Sequence, residues 1–397
     1  MDNLLGKLSQ MLGTEAIHEN TLKFIPPVPD ASLTSTLFWE SPFSKFLIFI
    51  TVMWWSHHGT DGGGYIIQRM SSAKNERHAL LATLWFNLAH YALRVWPWII
   101  VAVVSIVMFP MIPDAYSDLG VKAGYPLVMN TLLGPGLKGI LIVSFLAAFM
   151  STIDTHLNWG ASYLINDVYK RFYKPNESEK HYVVVGKLIT VVLMVLAAFT
   201  ALKMQSISKA WEFIFSMGAG IGLVLILRWF WWRINAWSEI TALATSILIT
   251  LTLEIIAWNQ TISSGNEYTL FGSAPILFGI ALQVHHKLMI IVPIAVTAWV
   301  TVTFITEPEP LDHLKVFYQR VQPGGWWAPV AKDFNHTAHP VSEGILVQWV
   351  AGILMIYGFT FGIGNLIFNQ YSNAVLLFGC AVIGSYLVWN RSISKLN

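Results

Sequence analysis

Nine apolar runs follow one another along the chain, each near the roughly 20 residues that a helix needs to cross a bilayer. They lie at about 43–60, 80–109, 135–165, 182–204, 210–232, 236–258, 282–305, 345–367 and 373–390, separated by short polar or aromatic breaks. Of the 397 residues, 55% are hydrophobic and 12% charged, about half the charged share of an ordinary soluble domain. Such a chain has too little polar surface to dissolve, and the pattern implies an all-α polytopic membrane protein. A formal charge of +2 with no basic patch excludes nucleic acid as a partner. Cys380 is the only cysteine, so no internal disulfide and no cysteine-based metal site can form.

Basic residues test the threading, because Lys and Arg accumulate in loops that stay in the cytoplasm. Alternate breaks carry them: Arg69, Lys74 and Arg77; Lys170, Arg171, Lys174 and Lys180; Arg228 and Arg233; Lys315, Arg320 and Lys332; Arg391 and Lys395. The intervening breaks hold or border on only Lys122, Lys138, Lys203 and Lys209. The C-terminus is therefore expected in the cytoplasm, with residues 1–42 outside as an external, loop-like segment. That segment has no basic start followed by a long apolar core, so it does not read as a signal peptide. It reads either as a loop whose preceding helix is missing or as a short translocated tail. The membrane domain is expected over 43–397, with a cytoplasmic loop at about 306–344 that includes EPEPLDHLKVFYQRVQPGGWW and suggests no chemistry of its own.

The stretch FMSTIDTHLNWG, Phe149–Gly160, places an aspartate inside one of the longest apolar segments. At about 100 degrees per residue, Ala148, Ser151, Thr152 and Thr155 share one helix face, with Asp154 on its flank, one turn from Ser151 and Asn158. Oxygen ligands of this kind, with at most one carboxylate, suit a hard monovalent cation such as sodium better than zinc or copper. Hydroxyls that merely bond back to the carbonyl four residues earlier are the competing explanation. Asp154 weighs against it, since a carboxylate near the bilayer centre costs about 2.5 to 3.5 kcal/mol and usually faces a partner or a water-filled path.

The run from Gly136 to Arg171 resembles the signature helix of the sodium/solute symporter family, the sodium-coupled proline, sugar and sialic acid carriers. Its Ser151-Thr152 pair, its Leu157-Asn158 and its Asp167-Val168-Tyr169-Lys170 exit carry the likeness, together with YIIQRMSSAKNERHA from Tyr65 to Ala79 and LRWFWWRINAWSEI from Leu227 to Ile240. The resemblance implies a LeuT-type inverted repeat, with broken helices forming a site near the midplane. It also implies a co-transported sodium ion on Ala148, Ser151 and Thr152, and it puts Asp154 and Thr155 where some members hold a second sodium. Only the second half of that core and the C-terminal helices are recognisable, so a partial fold is expected, completed by an N-terminal half or companion subunit. The implied setting is a bacterial inner (cell) membrane, with lipid and a small organic solute as partners.

For the solute, the segment MWWSHHGTDGGGY, Met53–Tyr65, combines aromatic residues with glycines that permit non-helical backbone, tolerated at membrane depth where it lines a cavity. By resemblance it ends the family's sixth core helix, which makes Trp54 and Trp55 solute candidates; interface tryptophans are the alternative. Asn87, His90 and Arg94 follow on neighbouring turns; by resemblance Asn87 falls near a position where family members keep a polar solute contact, and Asp61 is a further solute candidate. Arg94, deep in its helix, calls for a carboxylate such as Asp61 or an acidic solute, or else snorkels outward. Glu212 and Phe215 resemble the face of the tenth core helix that closes the cavity, whereas Trp229, Trp231 and Trp232 beside Arg228 and Arg233 look like an inner-interface anchor. Two other classes remain open: a sensor or interaction module that keeps the fold without transport, and a membrane enzyme using His57, His58 and Asp61.

Overall fold

The computed structural model describes residues 25–33, 35–109, 113–204, 206–268, 270–321, 323–332, 334, 341–391 and 394. Most of the expected N-terminal external segment, and 335–340 of the expected cytoplasmic loop, lie outside the described residues.

Helices dominate. A short α1 (Thr36–Glu40) leads into α2 (Pro42–Ile48), which runs through a π turn (Phe49–Met53) to a last turn at Trp54–Ser56. After the break come α3 (Gly63–Ser71), α4 (Glu76–Met108), α5 (Gly124–Leu132), α6 (Pro135–Tyr173) and α7 (Glu179–Lys203). Next are the bent pair α8 (Ile207–Met217) and α9 (Gly222–Phe230), then α10 (Ala236–Ser263) and α11 (Val284–Ile305), whose connection carries a two-stranded hairpin. The small helices α12 (Leu311–Val321) and α13 (Ala328–Ala331) precede α14 (Val341–Ile367) and α15 (Tyr371–Arg391).

Among the described residues, seven helices are long and apolar enough to cross a membrane, or eight if the bent pair is one span. They coincide with eight of the nine apolar runs. The first run differs: its helix ends at Ser56, because His57 takes an extended backbone and the chain turns through His57–Gly62. Side-chain caps explain several starts. Asn75 accepts the N–H of His78, Ser178 that of His181 and Asn235 that of Ser238, each relieving an orphan donor of a first turn.

Contacts divide the chain into two compact units, one built from the residues up to Ile100, Ser208–Asn266 and Ala274 onward, the other from Val101–Ile207 and Glu267–Ser273. In the first, α10 and α11 pair around buried Ala242 and Trp299, and the hydroxyls of Ser238 and Thr303 meet at 2.7 Å. The α14–α15 hairpin closes where Gly358 and Gly384 let one backbone approach the other, so that a methyl at either would overlap the facing helix. Trp96 of α4 lies over Gly364 and donates its indole N–H to the Thr360 carbonyl at 3.0 Å. The second unit is organised by α6 and α7, where Gly186 accommodates Ile165 and Gly160 meets Leu193.

The two helix breaks of the first unit pack on each other. Between α8 and α9 the axis turns by 42°. There Gly222 lies against the Trp55 and His57 carbonyls, Gly218 against His58, and Gly220 against Ser246 and Ala295; a Cβ on any of the three would collide. Interrupted backbone is thus concentrated at one place, as expected where irregular chain is buried in protein or lines a cavity.

Candidate functional site

The turn after α2 delivers Asp61. Its Oδ1 accepts the N–H of Gly63 at 2.9 Å, and Gly62 and Gly63 both adopt positive φ, 94° and 66°, a conformation costly for any other residue. Oδ2 accepts Arg228 Nη2 at 2.9 Å, while Arg228 Nη1 reaches Glu239 Oε1 at 3.2 Å. The Asp61 side chain is 11% exposed, so the guanidinium offsets most of what burying a carboxylate costs.

Asn87 closes the first stretch of α4. Its Nδ2 donates to the Thr83 carbonyl at 2.8 Å, and beyond it the helix widens into a π segment, Leu88–Leu93, a distortion common at functional sites. Asp61 and Asn87 face one cavity of about 430 Å³, whose wall also includes Thr83, Phe86, Tyr91 and Gly59. That volume falls in the range of small-molecule sites, and a mainly apolar wall with a few polar groups is their usual make-up. A second cavity of about 650 Å³ shares Asp61, Met70 and Ala79 and extends to Ile226, Trp229 and Phe230 of α9.

The other expected solute residues lie elsewhere. Trp54 is exposed, its ring 5.4 Å from that of Trp349. Trp55 bonds its own helix, indole N–H to Thr51 carbonyl at 2.7 Å. Glu212 pairs with Lys209 at 2.9 Å, and the ring of Phe215 stands 6.2 Å from that of His57. None of these four lines the Asp61–Asn87 cavity. Arg94 does not meet Asp61: it lies 3.3 Å from His90 Nε2 and over the Trp98 ring at 5.0 Å, held by its own helix. Arg228, expected only as an interface anchor, is the partner instead. The signal was an arginine and an aspartate each beside a glycine-marked break, which spacing alone could not pair.

The enzyme alternative finds no assembled centre. Asp61 is committed to Arg228, His57 Nδ1 accepts the Gly59 N–H at 2.9 Å, and the His57 and His58 rings are 6.0 Å apart at 79°. Among the described residues no group of three or more His, Cys, Asp or Glu could hold a metal ion.

In the second unit, Ala148, Ser151, Thr152, Asp154 and Thr155 all lie on α6. Thr152 Oγ1 donates to the Ala148 carbonyl and Thr155 Oγ1 to that of Ser151, both at 2.9 Å, and Asn158 Nδ2 donates to Asp154 Oδ1 at 2.9 Å. This is the back-bonding pattern of hydroxyls in apolar helices. It still leaves each hydroxyl oxygen a lone pair, and it brings Ala148 and Thr152 oxygens close enough to ligate one cation. Ser151, Thr152 and Asp154 are exposed and Thr155 is partly buried.

Comparison with known proteins identifies the family. The sodium:solute symporter family model matches residues 9–248, more than half of the chain. The osmoregulated proline transporter OpuE of Bacillus subtilis is 30% identical over 169 residues, 39% of this chain and 34% of the relative. The sodium/glucose cotransporter 4 of Danio rerio is 24% identical over 290 residues, 68% and 41%. The sodium/myo-inositol cotransporter 2 of Oryctolagus cuniculus is 26% identical over 357 residues, 80% and 49%. The chain thus spans less than half the length of these curated relatives, which are named as transporters, not enzymes. On the family match, and with apolar helices and glycine-marked breaks in the matched region, the chain belongs to the sodium:solute symporter family.

Proposed function

We propose that this protein works in sodium-coupled symport of a small organic solute, binding the solute in the Asp61–Asn87 cavity. The observation that carries this reading is the coincidence of a solute-sized cavity with the broken end of α2 and the π segment of α4. Unwound backbone exposes N–H and carbonyl groups to a ligand, which is how broken helices build transporter sites. Asn87 offers an amide donor and acceptor, Thr83 and Tyr91 border it, and the Arg228-paired Asp61 and Arg69 supply a polar wall. The solutes named for the relatives, proline, glucose and myo-inositol, are all small enough for such a space.

Sodium is assigned to the Ala148 carbonyl with Ser151 and Thr152, and Asp154 with Thr155 to a second cation. Ligands from one helix cannot fill a cation's shell. The remaining oxygens must come from outside α6, whether from other parts of the protein or from a companion subunit. We assign the protein to a bacterial inner membrane with its C-terminus in the cytoplasm, as the distribution of basic residues supports. Solute binding is tested by thermal unfolding against a panel of amino acids, sugars and polyols, since a ligand that binds only the folded state raises the midpoint. One solute class should stabilise the protein in sodium and not in potassium, and Asn87→Ala should remove the solute effect while keeping the sodium effect. No stabilisation by any solute class in sodium would contradict the assignment.

A further inference from the structure

The segment Pro323–Trp327, part of the loop between α12 and α13, is built into the end of α9. A nine-residue helix leaves its last carbonyls without intrahelical partners. Here two of them are taken by the loop: the Phe230 carbonyl accepts the Trp326 N–H at 2.6 Å, and the Trp229 carbonyl accepts the Trp327 indole N–H at 3.0 Å. The Trp232 N–H returns a bond to the Trp326 carbonyl, so Trp231 and Trp326 form a parallel bridge. Gly325 makes this approach possible, with φ of 93° and no room for a Cβ beside the Phe230 carbonyl. Trp327 is 2% exposed and belongs to a cluster with Leu314, Tyr318 and Val330, against which Trp232 packs. The helix end is therefore fixed by an element over 90 residues away in sequence, and Arg228 lies in its last turn.

We propose that the Gly325–Trp327 segment is a brace that positions Arg228. By capping α9 it holds the guanidinium on Asp61 and keeps α9 seated against the second cavity. The 42° bend at Met217–Gly222 gives α9 a pivot at its other end, so loss of the cap frees the half-helix to swing. Asp61, Met70 and Ala79 border both cavities, and outward movement of Trp229 and Phe230 would widen the access to them. Trp327 is a positioning residue on this account, acting through Arg228. The role of the first cavity in solute binding rests on the proposed function above, but the brace itself is tested without any solute.

Ala79→Cys, in a background with Cys380 and any other cysteine of the full-length protein replaced by serine, gives one reporter thiol between the cavities. In sealed inside-out membrane vesicles of the full-length protein, a membrane-impermeant maleimide should label this partly buried position at a measurable basal rate. Trp327→Ala should raise the labelling rate about tenfold, the change expected for loss of roughly 1.4 kcal/mol holding α9 in place. Arg228→Gln should do the same, and the two together should add little, since both act on one half-helix. Trp327→Phe, which removes the indole N–H and keeps part of the packing, should label at an intermediate rate, and it decides the matter if Trp327→Ala fails to fold. A lowered unfolding midpoint with unchanged labelling in Trp327→Phe, or full additivity with Arg228→Gln, would overturn the brace. Failure of every solute to slow labelling would count against the solute cavity and leave the brace standing.

Discussion

Arg228, in the last turn of α9, and Asp61, 167 residues earlier in the turn after α2, meet at 2.9 Å and join the two helix breaks of the first unit. Removing one partner leaves the other partly buried and uncompensated. Asp61→Asn or Arg228→Gln should each lower stability by about 2 kcal/mol, below the 3 to 5 of a fully buried pair because Arg228 is about a third exposed. Thermal unfolding of both variants and the double variant checks this. A coupling energy near zero in the cycle would mean that the contact contributes nothing.

Gly222 faces the carbonyls of Trp55 and His57. Gly222→Ala should cost about 2 to 3 kcal/mol, because backbone on both sides cannot yield as a flexible side chain can. Gly379→Ala, with open space around the new methyl, should instead be neutral or gain up to about 1 kcal/mol. Equal unfolding midpoints for the two would refute the close approach of the breaks.

Lys287 and Glu254 form an ion pair at 2.9 Å between α11 and α10, with side chains 12% and 10% exposed. Lys287→Met should destabilise by roughly 3 to 5 kcal/mol, whereas Lys287→Met with Glu254→Leu should recover most of the loss, since an apolar pair does not have to be desolvated. Unfolding midpoints in detergent compare them. A double variant as unstable as the single one would show that Glu254 has a role independent of the lysine.

Ser151→Ala and Thr152→Ala should each raise the sodium concentration for half-maximal stabilisation, by about tenfold for loss of one ligand worth roughly 1.4 kcal/mol. Ser144→Ala, which also removes a back-bonded hydroxyl from α6, is the control and should leave sodium dependence unchanged. Asp154→Asn should alter the sodium stoichiometry. Parallel behaviour of all four variants would reduce the motif to ordinary helix packing.

Apolar run length located eight of the nine expected spans, because in hydrocarbon a backbone must satisfy itself and a helix of about 20 residues does so. The early end of α2 was less legible: Trp54, Trp55 and the histidines continue the apolar tone while His57 already leaves the helix. Asp61 and Asn87 were identifiable as polar groups beside glycines or deep in a span, and they share a cavity. Their neighbours were not, since Arg94 and Arg228 look alike in sequence and only the packing of the breaks decides which one Asp61 meets. The tryptophans near Arg228 read as an interface belt; in the fold, backbone carbonyls of that run are capped by Trp326 and Trp327. Pairing over nearly 100 residues leaves no periodic trace, although Gly-Gly-Trp-Trp in a polar loop was its visible mark.

Coupling of solute movement to sodium is the central claim, and accumulation in proteoliposomes tests it most directly. Protein purified from its native membranes, with whatever accompanies it, is given a mixed panel of amino acids, sugars and polyols under an inward sodium gradient, and the internal solutes are measured by mass spectrometry. One solute class should accumulate above its external concentration in sodium and fall to equilibrium when potassium replaces it. Accumulation of none, or equal uptake in both salts, would contradict the account.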